Sequence, residues 1–165
     1  MRLDLSEIVK NDGASLEVQV QETISELNEL VDDVTFNQPV RFNGKLVNIS
    51  GILKLEGHME TGYNTKCFRC LLDLNGTLSV DVKEDIIDGR TNPDSETYTY
   101  EGNFFEIDKL IKDYVLLNLP VRHVCDEDCK GLCYKCGSNL NVAACECKEE
   151  TINPQMEALK DFFKN

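Results

Sequence analysis

Eight cysteines are the residues best able to do chemistry in this chain, and they fall into two regions. The first is Cys67-Phe68-Arg69-Cys70. The second is Cys125-x3-Cys129-x3-Cys133-x2-Cys136, followed by Cys145-x-Cys147. Zinc takes four tetrahedral ligands, at about 2.3 Å when they are thiolates, and a two-residue spacer lets two cysteines grip one ion from a tight turn. Gly137, directly after Cys136, gives the backbone the freedom to turn around an ion with positive φ. Eight thiolates divide into two closed sites. Cys133, Cys136, Cys145 and Cys147 are near enough in sequence to form one alone. By elimination, Cys67, Cys70, Cys125 and Cys129 form the other, so one or two Zn2+ per chain are expected.

Other uses of the same residues compete with zinc. Four thiolates also hold an iron–sulfur cluster, which ranks below zinc here. Cys67 and Cys70 have the spacing of a thiol oxidoreductase, and Arg69 would lower a neighbouring thiol pKa. They fall, however, in a β-rich stretch and not in the βαβ setting of such motifs. A catalytic zinc keeps an open position and usually histidine ligands. His58 lies on the polar face of a strand, and His123 is near enough to Cys125 to substitute as a ligand, although it ranks behind the cysteines. No phosphate-cradling glycine loop, nucleophile elbow or metalloprotease motif is present, so no catalytic residue is assigned.

The elements that must carry the cysteines read as β first and α later. Val47, Ile49, Leu53, Leu55 and Met59 alternate with polar residues, as do Leu72, Leu74, Leu78, Val80, Val82 and Ile86. Leu16, Val18 and Val20 give a shorter copy, and Val34, Phe36, Val40 and Phe42 another around Pro39. A two-residue period sustained this long predicts strands with one buried face, in an antiparallel meander or barrel-like sheet. Cys67 and Cys70 lie between the two longest runs, at an expected hairpin end. Ile107, Leu110, Ile111, Tyr114 and Val115 keep the stripe of an amphipathic helix over about 107–117, stopped by Pro120. Asn153 and Pro154 cap a last helix whose apolar face is Met156, Leu159, Phe162 and Phe163. Glycine, proline and acids over about 88–104 predict an exposed acidic loop. The expected class is α+β: a β core over 1–120, then a cysteine-rich zinc module with a C-terminal helix over 121–165.

Composition narrows the partners. The chain has 165 residues, with 30 Asp and Glu against 17 Lys and Arg and a formal charge of -13. Eight thiolate charges offset by two dications would take that charge to -17. Such a surface repels a polyanion at long range, and the basic residues are scattered singly, so direct RNA contact is disfavoured and a basic protein partner is expected. No stretch approaches the ~18 unbroken apolar residues of a spanning helix. The charged N-terminus lacks the apolar core of a secretion signal, so the cytoplasm is expected, where thiols stay reduced and clustered cysteines bind metal.

Cys67-Phe68-Arg69-Cys70-Leu71 and Gly131-Leu132-Cys133-Tyr134-Lys135-Cys136-Gly137-Ser138-Asn139-Leu140-Asn141, followed by Cys145-Glu146-Cys147, resemble the YceD family of large ribosomal RNA subunit accumulation proteins. The resemblance extends through the acidic loop, Leu119-Pro120 and Ile152-Asn153-Pro154. Tyr134 stands where a proline is expected and Gln155 where arginine is common. The resemblance implies a ribosome-assembly role in a bacterium. Combined with the charge, it points to a non-enzymatic factor that holds a basic ribosomal protein or an assembly factor of the large subunit. Two alternatives remain open. One is a zinc-knuckle RNA-binding module using Lys130, Lys135 and Tyr134, beside which Asp126, Glu127 and Asp128 are unfavourable. The other is a thiol redox protein using Cys67 and Cys70.

Overall fold

The computed structural model describes residues 1–90 and 97–147. In chain order the elements are β1 (Arg2–Asp4), α1 (Ser6–Val9), β2 (Ser15–Glu22), α2 (Leu27–Leu30), β3 (Val34–Thr35), β4 (Val40–Ile49), β5 (Ile52–Lys66), β6 (Asp73–Asp88), β7 (Tyr98–Tyr100), β8 (Phe104–Glu106) and α3 (Ile107–Asn118). The main sheet runs β2-β4-β5-β6-β7, with β3 also on β5, and β1 pairs with β8 in a separate two-stranded sheet. All pairings are antiparallel except β6 with β7. Strands dominate, helices are few, and the expected meander is present in β4-β5-β6.

The barrel does not close. A barrel needs its first and last strands to hydrogen-bond, and β2 and β7 lie at opposite ends of an open path. Helical elements join the apolar face of the sheet in the core. Leu5, Ile8, Ile107, Leu110, Ile111 and Val115, from in and around α1 and α3, share one cluster with Phe42, Leu46, Leu55, Met59 and Val82. The helix matches its expected span, and Leu119 turns extended at φ -68, ψ 128 before Pro120, as a residue preceding proline must. Burying each aliphatic side chain of α3 contributes roughly 1.5–3 kcal/mol.

One strand face is inverted relative to the alternation in the sequence. Val47 through Met59 reads as one run with its odd positions inward. The structure breaks it at Ser50 (φ 54) and Gly51 (φ 88), a two-residue turn that pairs Ile49 with Ile52. Across such a turn the parity flips, so odd positions stay inward on β5 while even ones face inward on β4. Ile49 is therefore 48 % exposed and Asn48 only 2 %. Asn48 is satisfied there: its amide donates to the Ile8 carbonyl at 2.7 Å, and its Oδ1 accepts the Gly51 N–H at 2.9 Å. It thus bolts α1 to the hairpin.

The open face carries ladders of charge. Lys54 meets Asp85 at 2.9 Å, Lys83 meets Glu56 at 3.7 Å and His58 meets Asp81 at 2.8 Å. Pairs this exposed stabilise by at most about 1 kcal/mol each. Inside, Gly44 and Gly57 face each other across β4 and β5, and a Cβ on either would meet the Phe42 ring within 2.8 Å. The ring takes the space that their side chains would fill.

The stretch expected as an acidic loop is more structured than its charge suggests. Buried Tyr100 and Phe105 anchor β7 and β8, and the Tyr98 hydroxyl donates to Asp113 at 3.1 Å. Aromatic anchoring outweighs the acid content at this end; residues 91–96 lie outside the described residues. The expected helix from Pro154, with Met156, Leu159, Phe162 and Phe163, lies outside them as well. Among the described residues, no helix is long and apolar enough to cross a membrane.

Candidate metal centres

The β5–β6 hairpin ends in a knuckle. Lys66 and Asp73 close its ladder; beyond them the Cys67 N–H donates to the Leu72 carbonyl at 2.7 Å, and the Leu71 N–H to the Cys67 carbonyl at 2.9 Å. This tight turn aims the Cys67 and Cys70 side chains to one side. After α3 the chain returns along the knuckle: the Phe68 N–H donates to the His123 carbonyl at 2.8 Å. Cys125 and Cys129 are thereby brought opposite Cys67 and Cys70.

Four sulfurs around one ion at about 2.3 Å would stand about 3.8 Å apart. Cys67 and Cys129 sulfurs are 3.9 Å apart, and those of Cys70 and Cys125 are 3.6 Å apart. All four lie within 4.8 Å of one another, as do the sulfurs of Cys133, Cys136, Cys145 and Cys147 in a second group. Each set is soft and closed, without carboxylate or imidazole, which suits zinc or an iron–sulfur cluster. His123 is in neither set: its ring packs at a 58° tilt against Tyr63, centroids 5.2 Å apart, with Nδ1 3.4 Å from the Tyr63 hydroxyl. His58 is on the open face against Asp81.

Two features that spacing alone does not reveal brace the first group: Arg69 joins its halves, and Asn141 ties it to the loop of the second group. The Arg69 guanidinium donates to the carbonyls of Glu127 at 2.9 Å and Cys129 at 3.0 Å. Its backbone carbonyl accepts the Leu132 N–H at 3.1 Å. Gly131 must pass here at φ +74, where a Cβ would lie 3.0 Å from that same carbonyl oxygen. The second feature is Asn141, which belongs to the loop of the other cysteine group. Its amide donates to Cys129 Sγ at 3.3 Å, while its Oδ1 accepts the Lys130 N–H at 2.7 Å. In the sequence both residues stand within the two motifs that carry the family resemblance, but nothing there assigns them these contacts.

The second group is built locally. The Gly137 N–H donates to the Cys133 carbonyl and the Cys133 N–H to the Ser138 carbonyl, both at 2.8 Å. Gly137 has the positive φ its position calls for, 73°. Cys133 is buried, Cys136 exposed, and Cys145 and Cys147 lie between.

Each group contains thiols held down and thiols pushed up. Burial raises the Cys67 pKa, but the N–H groups of Cys125, Cys70 and Arg69 outweigh it and bring it down to about 6. Arg69 therefore acts on this thiol through its backbone, while its guanidinium serves the carbonyls. Burial also raises Cys129, which the Asn141 amide and the Gly131 N–H turn downward. Cys125 is pushed up to about 12 by the neighbouring sulfurs of Cys129 and Cys70. The Leu72 N–H lowers Cys70, yet burial and the Cys67 sulfur carry it upward. In the second group the Ser138 hydroxyl and N–H hold Cys136 down to about 6, while Cys147 beside Cys136 rises to about 12. Two low thiols and two high ones are what four crowded sulfurs do without a cation; a dication would favour all four thiolates.

The sequence profile described as Large ribosomal RNA subunit accumulation protein YceD matches residues 55–163, which include all eight cysteines. A chloroplastic protein of Arabidopsis thaliana, named Large ribosomal RNA subunit accumulation protein YCED homolog 1, is 28% identical over 152 residues. That alignment covers 73% of this chain and 47% of the relative. Its Zea mays counterpart is 40% identical over 60 residues, 36% of this chain and 20% of the relative. An uncharacterised protein of Mycobacterium leprae (strain TN) is 24% identical over 170 residues, 97% of this chain and 76% of that one. The chain spans less than half the length of the two chloroplastic relatives. No solved structure matches. By the profile match over residues 55–163, the chain belongs to the YceD family of large ribosomal RNA subunit accumulation proteins.

Proposed function

We propose that this protein is a non-enzymatic, cytoplasmic factor of ribosome biogenesis that supports accumulation of large-subunit ribosomal RNA. In this reading it binds a basic ribosomal protein or an assembly factor of the large subunit. Two structural Zn2+ ions complete it, one held by Cys67, Cys70, Cys125 and Cys129, the other by Cys133, Cys136, Cys145 and Cys147. The observation that carries the metal part is the gathering of eight sulfurs into two sets whose members all lie within 4.8 Å. Family membership supports the ribosomal part, and the charge of -13 supports a basic partner. Among the described residues, no arrangement favours catalysis. Ser79, His58 and Asp81 are hydrogen-bonded in series at 3.1 and 2.8 Å. They are cross-strand neighbours on the exposed sheet face, where His58 and Asp81 line only a shallow depression open to solvent.

The first test is metal content per chain, by native and elemental mass spectrometry on protein purified without chelator. Two zincs are expected; iron with sulfide would overturn the structural-zinc reading. The partner half is tested by binding of purified large-subunit proteins and large-subunit RNA in ~0.15 M salt, where exposed charge is still felt within about 8 Å. Tight RNA binding without any ribosomal protein bound would sink it.

A second reading, direct RNA contact by the zinc module, has one observation in its favour. Tyr134 is 76 % exposed, with the Lys135 ammonium 5.9 Å from its ring centre, a surface on which a base could stack. Replacing Lys130 and Lys135 with glutamate is expected to abolish any RNA shift that arises this way; an unchanged shift removes this reading.

A further inference from the structure

Three exposed apolar side chains meet at the tip of the β5–β6 hairpin. Phe68 is 67 % exposed, Leu71 59 % and Val121 96 %. The cause is local for the first two: Cys67 and Cys70 turn inward, so the residues beside them face outward. Leu71 also sits at φ 60, a conformation that asparagine or glycine adopts readily and leucine rarely does. The turn needs the backbone angle but not the leucine. Solvent exposure and backbone strain together mark a side chain kept for something other than folding.

These residues line a groove of about 600 Å3 together with Asp32, Asp33 and His123. Thr65 Oγ1 donates to the Asp33 carbonyl at 2.8 Å and fixes the acid pair to β5. Among the described residues, no ion pair takes up either carboxylate. The Phe68 ring already accepts a cation, since the Arg122 guanidinium lies 5.4 Å from its centre. The groove also carries Lys66, which pairs with Asp73 at 3.8 Å, so it combines an apolar surface, an aromatic face and a surplus of acid from Asp32 and Asp33, on a mount held by the first cysteine group.

We propose that this groove docks a Lys/Arg-rich segment of a partner protein. One apolar side chain of that segment rests on Phe68, Leu71 and Val121, and its flanking cations face Asp32 and Asp33. This rests on the partner-binding reading above. Charge selects the occupant: a phosphate backbone would meet two carboxylates, and a second copy would bring its own charge of -13.

The test titrates a fluorescein-labelled Arg-Lys-Phe-Lys-Arg peptide against the full, zinc-loaded chain in ~0.15 M salt, read by anisotropy. Combining Asp32→Asn, Asp33→Asn and Val121→Ser is expected to weaken binding at least about tenfold. Removing the same charge from the open sheet face, with Glu17→Gln and Glu60→Gln, is expected to change it less than about twofold. Replacing the peptide phenylalanine by glycine is expected to weaken binding too. Unchanged zinc content shows that the triple variant is folded, and Val121→Ser alone, at a fully exposed side chain, does not burden the fold. The proposal is overturned by equal loss from either charge pair, by indifference to the phenylalanine, or by no binding at all. Binding that appears only after residues 148–165 are removed would make this chain's own C-terminal segment the occupant, and would also overturn it. If a large-subunit protein binds the wild type and triple variant alike, the groove assignment falls and the partner reading stands. If none binds the wild type, both fall.

Discussion

The two cysteine groups have the same chemistry and opposite construction. The group of Cys133, Cys136, Cys145 and Cys147 comes from one short stretch, with Cys136 exposed. The group of Cys67, Cys70, Cys125 and Cys129 joins segments 62 residues apart, and Cys67, Cys70 and Cys129 are at most 6 % exposed. In the chain, β6, β7, β8 and α3 lie between its two halves. Closing a loop over such a separation costs more chain entropy than closing a short one, and the sheet and α3 hold that closure in the fold. The local group needs no such long closure. One site is therefore a weld between the sheet and the C-terminal module, the other a clasp within that module. Asn141 is the side chain that reaches from the clasp to a sulfur of the weld.

The largest effect is expected from cutting the weld. Structural zinc supplies ~10–16 kcal/mol of apparent binding free energy in small modules. Cys129→Ser is expected to lose one zinc and the amide-exchange protection of residues 121–132, whereas Cys145→Ser loses one zinc and leaves that protection intact. Equal losses from the two variants would erase the distinction. Next comes the order of release: under a chelator, the half-exposed clasp is expected to give up its ion first, with the weld following on the time scale of sheet opening. Labelling Cys67, Cys129 and Cys136 by mass spectrometry reads that order, and Cys67 reacting before Cys136 would reverse it.

Smaller changes sharpen the comparison. Arg69→Met removes a charged donor to two carbonyls, worth about 1.5–3 kcal/mol, and is expected to speed metal loss from the weld alone. Asn141→Leu removes an N–H···S bond to a ligand, and such supporting contacts change metal affinity by ~10–100-fold. It is expected to weaken the weld while sparing the clasp; loss confined to the clasp would contradict the direction assigned to Asn141. Lys54→Ala, which breaks an exposed pair far from both groups, is expected to shift stability by under about 1 kcal/mol and to leave zinc content unchanged.

Much of the fold was legible where a pattern is local. The stripe of α3 and its stop at Pro120, the long alternations of β5 and β6, and the knuckle between them all follow from neighbouring residues. The inward face of β4 was not, because Ser50 and Gly51 flip the parity and nothing in the alternation announces a turn. Asn48 reads as a surface residue until its three backbone partners are visible. Tyr100 and Phe105 were hidden among acids, and β1 finds β8 only across the chain.

By itself the sequence determined the donor chemistry. Eight thiols at these spacings, a net acidic charge and an amphipathic helix are properties of composition and short-range order, which chain geometry cannot change. The tertiary structure alone decided which sulfurs face each other, that the sheet stays open, and that Arg69 and Asn141 close around Cys129. Those outcomes depend on contacts between residues far apart in the chain, and only the folded path of the backbone sets such distances.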